Sequence, residues 1–113
     1  MTLQQVRDIL NAQVLAGEER LGQEVQAACG SDFMSDVLAY VKDQSLLLTG
    51  LVNIQTVRTA DVMDMKCIVF VRGKAPDEAV LALARDRDIA VMTTEKPMYL
   101  ACGMLYAGGL KGA

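Results

Sequence analysis

The chain has no histidine, and that one absence excludes more chemistry than any residue present. Without imidazole there is no Ser-His-Asp or Cys-His nucleophile, no phosphohistidine transfer and no His-based metal centre. Carboxylates, Lys, Tyr and thiols are what remains. Tryptophan is also missing and aromatics total 4%, so the core must be aliphatic. Seven methionines pad it; Met fills irregular gaps and is common on sticky binding faces. No apolar run approaches the ~20 residues that span a bilayer, and no membrane partner is expected. No stretch of Lys and Arg is dense enough to trace a phosphate backbone, and the net charge is −3. Nucleic acid is therefore not an expected partner. Acids outnumber bases nine to four over Met1–Asp64 and trail them five to seven afterwards, a tilt too mild to mark an arm or a patch.

Other signatures are missing as well. There is no Gly-x-x-x-x-Gly-Lys-Ser/Thr loop and no Gly-x-Gly-x-x-Gly after a strand, which argues against a self-sufficient kinase or a dinucleotide dehydrogenase. Cys29, Cys67 and Cys102 form no Cys-x-x-Cys pair, and an odd count without a signal peptide argues for reduced thiols in the cytoplasm. They read most simply as small buried hydrophobes, with Cys102 the one redox candidate. No cofactor is expected.

What is present is a regular alternation of strands and helices. Hydrophobic residues make up 52% and charged residues 22% of 113, enough for one compact domain, 1–113, with a radius of gyration near 13 Å. So much apolar surface is hard to hide at this size, and a subunit interface is expected. Thr2 and Gln5 spell a capping box ahead of a helix over Leu3–Leu10. Val14-Leu15 is a short strand closed by Gly17, Glu18–Gln23 a polar turn, and Glu24–Cys29 a strand. Met34, Val37, Leu38 and Val41 then repeat at helical spacing, with Ser31 or Asp32 as the cap. Leu46-Leu47-Leu48 is a continuous apolar run, as in strands covered on both faces. Thr49-Gly50 turns the chain, Asn53 caps the next helix, and Val52 with Val57 makes a hydrophobic staple across its start. Ile54, Val57, Ala60 and Met63 form its stripe. Cys67–Val71 is the strongest strand and is closed by Arg72-Gly73-Lys74. Pro76 fits the first turn of a helix carrying Ala79, Val80, Leu83 and Ala84. Ile89–Met92 is the next strand. Thr94 can cap a last helix carrying Leu100, Ala101, Met104 and Leu105, stopped by Gly108-Gly109. The fold class is α/β: a single three-layer domain whose mainly parallel sheet of about five strands is flanked by helices.

In an open parallel sheet, ligands bind outside the carboxyl ends of the strands. There the sequence places Ser31, Asp32, Thr49, Gly50, Asn53, Arg72, Gly73, Thr93 and Thr94. Hydroxyls, amides, helix N-termini and one guanidinium suit a small anion, a phosphorylated metabolite or a nucleotide. The competing reading is that Ser, Thr, Asn and Gly are what any strand-to-helix loop uses. Arg72 separates the two, since a cap needs no guanidinium. Asp32 and Asp36, one helical turn apart, are a candidate carboxylate pair for a divalent cation, and solvated surface is the simpler reading. Tyr99 and Tyr106, seven apart on the last helix, either flank a dimer seam or roof the sheet.

Thr49-Gly50, CIVFVRG and KAPDE leading to RDRDIAVMTT, with LNAQVLAGEERLGQEV before them, resemble DRTGG domains over Leu3 to about Leu110. Such domains are similar to the N-terminal domain of HPr kinase/phosphatase. They also occur inside CBS-containing pyrophosphatases and phosphate acetyltransferases, and as small free-standing proteins. The resemblance implies a regulatory or oligomer-forming role without established catalysis. No Asp-Arg-Thr-Gly-Gly string is present; by position Asn53 stands near the acid-base pair and Arg72-Gly73 at the glycines. Three readings of function follow. The first is a non-catalytic, homodimeric regulatory module sensing an anionic metabolite or nucleotide at the rim. The others are a pure oligomerisation domain and a metal-dependent phosphoester enzyme using Asp32 and Asp36.

Overall fold

A computed structural model describes residues 1–40 and 45–112. The chain order is α1 (Leu3–Leu10), β1 (Gln13–Ala16), a 3-10 turn (Glu18–Arg20), β2 (Ala27–Gly30), α2 (Met34–Tyr40), β3 (Ser45–Thr49), α3 (Ile54–Val62), β4 (Cys67–Phe70), α4 (Glu78–Asp86), β5 (Ala90–Thr93), α5 (Met98–Ala107) and β6 (Lys111–Gly112). One sheet carries all six strands in the order β1-β5-β4-β3-β2-β6. β1 runs antiparallel to β5, and every other pairing is parallel. The α/β class and the mainly parallel sheet are as expected. The sixth strand is a two-residue edge piece of Lys and Gly, which carries no hydrophobic pattern to read.

The continuous apolar runs explain the layering. Leu46, Leu48, Cys67, Val69, Val71, Ala90 and Met92 face α1 and α5, closing a core with Leu3, Val6, Leu10, Ala101 and Leu105. Leu47, Ile68, Phe70 and Val91 point the other way, onto Val37, Val57, Ala60, Val80 and Ala84 of α2, α3 and α4. Steps from β2 through β5 cross the sheet in one direction, so their three helices share a face. The step from β5 returns to the far edge and puts α5 on the other. The radius of gyration is 12.0 Å. Among the described residues no helix is long and apolar enough to cross a membrane.

Long-range backbone bonds moved several expected boundaries. The second strand starts at Ala27 rather than Glu24, because Thr2 bridges Glu24 and the Val25 N–H donates to Met1 O. α2 begins at Met34, so neither Ser31 nor Asp32 is its cap. Leu38 lies outside its buried face, being 46% exposed, and Val41 falls outside the described residues. α3 buries Thr56 and Thr59 beside Val57 and Ala60, while Met63 lies beyond its last turn. Pro76 is buried ahead of α4, which Asp77 caps through the Val80 N–H at 3.1 Å. Ala79 is exposed. The capping box at Thr2 and the Asn53 cap are formed as expected.

Candidate functional site

The parallel register brings the ends of β2, β3, β4 and β5 to one edge of the sheet, where their exit loops form a ledge. Four of the expected rim residues converge there. Asp32, just past β2, turns its carboxylate across the end of β3. Its Oδ1 accepts the Gly50 N–H at 2.7 Å and the Thr49 hydroxyl at 3.1 Å. Its Oδ2 lies 3.7 Å from a guanidinium nitrogen of Arg72. Gly50 makes the arrangement possible: a Cβ there would sit on Nη2 of Arg72. The Gly50 N–H, foremost, holds the Asp32 carboxyl below the usual value; the Thr49 hydroxyl and the charges of Arg72 and Lys74 act the same way, against partial burial.

Arg72 is carried on a tight turn. The Lys74 N–H donates to Val71 O at 3.2 Å, and both central residues have positive φ, 60° at Arg72 and 69° at Gly73. That is the type I′ pattern, which favours Asn-Gly. Among the described residues, the other non-glycine residues at positive φ are Asn11, Asp64 and Asp88, the types that tolerate it. Arg72 alone does not belong to them, and its backbone costs about 1–2 kcal/mol there. The turn is fixed from outside, since Arg72 N–H donates to Lys96 O and Gly73 N–H to Thr94 O, at 2.9 and 2.8 Å. Meanwhile the side chain is 47% exposed and has Asp32 as its one loose partner among the described residues.

The other rim residues hold the loops together. Ser31 Oγ accepts the Phe33 N–H at 3.0 Å, and Asn53 caps α3 through the Gln55 N–H at 3.0 Å. The Thr93 hydroxyl donates to Lys74 O at 2.6 Å. Thr94 is buried; its hydroxyl donates to Leu10 O at 2.8 Å and accepts the Lys96 N–H at 3.3 Å. It therefore does not cap α5, whose first residue is Met98, because the chain must first cross the end of β4. Three charged residues that sequence reasoning had left out also stand here. Lys74 bears on Asp32, Glu95 lies against Gly73, and Lys96 anchors Arg72 by its carbonyl. Their signal was adjacency in sequence to Gly73 and Thr94.

Among the described residues no group of three or more His, Cys, Asp or Glu is placed to hold a metal, and Asp32 is committed to Gly50 and Thr49. The thiols are protonated: burial pushes Cys67 up to about 12 and raises Cys102, and burial with neighbouring Cys102 and Asp36 raises Cys29. An apolar cleft of about 400 Å³ lies elsewhere, between α5 and the β2–β6 edge.

An open, mostly parallel sheet with helices on both faces and a charged ledge beyond its strand ends defines a three-layer α/β domain. More specifically, the chain belongs to the DRTGG domain family, whose profile matches residues 5–107. Among solved structures it is similar to the CBS and DRTGG domains of the regulatory region of Clostridium perfringens pyrophosphatase, complexed with its activator, diadenosine tetraphosphate. That likeness has a TM-score of 0.73 at 16% identity, covering 92% of this chain and 45% of that one. The chain thus spans less than half the length of the structure it matches. No curated protein matches it.

Proposed function

We propose that this domain is a non-catalytic regulatory module, working in the cytoplasm as a homodimer, that senses a small anionic metabolite or nucleotide at the rim around Arg72. The observation that carries the reading is Arg72 itself. A guanidinium is held out to solvent from a backbone conformation that suits glycine, and strain kept in place by its surroundings is what functional positions show. Lys74 adds positive charge beside it, and the Glu95 carboxylate lies against neighbouring Gly73. Asp32 Oδ2 keeps free lone pairs for a donor such as a hydroxyl. The similar pyrophosphatase regulatory region is described with a nucleotide activator, which supports a sensing role for a domain of this fold.

Differential scanning against nucleotides and phosphate esters tests the reading. A ligand at 100 times its Kd adds roughly 2.7 kcal/mol. The expected result is a rise in Tm with at least one compound that Arg72→Ala abolishes. No rise with any compound, or an equal rise in Arg72→Ala, refutes it. A second reading, a pure assembly domain, draws on Phe33, Tyr40, Val62, Tyr99 and Tyr106, each more than two-thirds exposed. It predicts a dimer that no member of the panel stabilises.

A further inference from the structure

Helix α5, Met98–Ala107, reads MYLACGMLYA and contains no charged residue. A helix apolar all round belongs inside a protein, yet this one buries only Ala101 and Leu105 fully. Its outer face shows Tyr99 at 94%, Leu100 at 47% and Tyr106 at 74% exposure. Between the tyrosines stands Gly103, exposed and in ordinary helical backbone. A Cβ there would meet nothing within 4 Å. Glycine weakens a helix interior, and nothing among the described residues asks for one at that position. Beside the stripe opens the apolar cleft of about 400 Å³, floored by Ala28, Leu48, Leu105 and Leu110.

We infer that the α5 face is the homodimer seam, with a second copy of this chain as its occupant and Gly103 at the two-fold axis. The inference rests on the homodimer of the proposed function and says where its interface lies. A two-fold interface must be self-complementary, and this stripe is. Tyr99 lies four residues before Gly103 and Tyr106 three after it. In an antiparallel pair crossing at Gly103, Tyr99 of each copy therefore meets Tyr106 of the other. A side chain at position 103 would hold the two backbones apart. The helix itself carries no charge, and Lys111 is the one charged residue lining the cleft beside it. Area agrees as well. With tyrosine burying on the order of 200 Å², the three exposed side chains offer roughly 400 Å², about half of the ~800 Å² each partner gives a stable dimer. The cleft walls supply more. The apolar patches at α2 and at Val62 on α3 each carry charged neighbours, Asp36 in the first and Arg58, Asp61 and Arg87 in the second.

Sedimentation of the whole chain, with a set of variants, tests this. The expected results are a wild-type dimer and a Tyr99→Glu/Tyr106→Glu chain at least 100-fold weaker in self-association with unchanged circular dichroism. Tyr40→Glu on α2 should leave the dimer intact. In a Cys29→Ala/Cys102→Ala background, Gly103→Cys should form an intermolecular disulfide on mild oxidation, since only Cα atoms within about 7 Å can be bridged. A dimer that survives the double Glu variant, or breaks in Tyr40→Glu, overturns the seam while leaving the homodimer standing. A wild-type monomer at every concentration overturns both, without touching ligand sensing, which the Arg72 test addresses separately.

Discussion

Asp32→Ala separates what the rim does for the fold from what it does for a ligand. The Asp32 Oδ1 accepts from the Gly50 N–H at 2.7 Å and the Thr49 hydroxyl at 3.1 Å, and both donors belong to buried residues. Removing the carboxylate strands the amide, and an unsatisfied buried donor costs about 1–3 kcal/mol. The hydroxyl can rotate toward other acceptors and adds little. The ion pair with Arg72 spans 3.7 Å between side chains 47% and 46% exposed, so its share is below about 0.5 kcal/mol. The sum is about 2 kcal/mol. At roughly 2.1 cal/mol/K of unfolding entropy per residue, a chain of 113 residues loses about 8 °C in Tm. Arg72→Ala forfeits only the ion pair and should fall by about 2 °C or less. Urea titration and scanning calorimetry measure both. If Asp32→Ala matches wild type, or Arg72→Ala costs as much as Asp32→Ala, the division between an anchored carboxylate and a free guanidinium is wrong.

Arg72→Gly should be more stable than Arg72→Ala by about 0.5–1 kcal/mol, since glycine accepts positive φ without strain; equal urea midpoints would remove strain from the argument. Asp32 also predicts an acid limb. Its folded-state value lies below the ordinary 3.8, so the stability it brings is complete above that value and is lost as pH falls from there through the lower one. Asp32→Asn should flatten that limb in urea midpoints taken from about pH 5 to pH 2. The Thr59 hydroxyl is buried with no partner among the described residues; Thr59→Val should gain about 1 kcal/mol, and a loss would reveal a partner. Cys67, fully buried and raised to about 12, should resist alkylation in the native state and react only on unfolding, so labelling as fast as Cys29 would contradict its burial.

The sequence made the layers legible where both faces of a strand are covered. Leu46–Leu48 and Cys67–Val71 are apolar without interruption because helices lie above and below them. Helix bounds were legible where the cap is local, as at Thr2 and Asn53. They were not where a distant backbone group intervenes: Thr94 looks like a cap, but its hydroxyl answers Leu10, 84 residues away. The rim followed from the parallel sheet and its exit loops. Which of its polar atoms are occupied did not follow, because the reach of Asp32 to Gly50 depends on the register of β2 against β3. The strain at Arg72 was equally out of reach, since nothing in Arg-Gly announces a positive φ at the arginine.

That occupancy is what distinguishes a loop that holds a fold from a surface that holds a ligand. Buried polar groups in native proteins are almost always paired, so a rim made only of caps and turns would have its polar atoms used up. Ser31, Asn53, Thr93 and Thr94 fit that description, each bonded to backbone, and carry the fold. Around Arg72 the pattern changes. Lys74 and Lys96 make no ion pair among the described residues, and Arg72 has one loose contact, with the Asp32 oxygen that takes no hydrogen bond there. These groups stand beside one another because the turn at Val71–Lys74 is pinned by the segment that crosses β4 on its way to α5. Arg72 and Lys74 are thus carried on a turn whose backbone is hydrogen-bonded to that segment. Such pre-organisation lowers the entropy lost on binding, which is the advantage the proposed sensing at Arg72 would draw on.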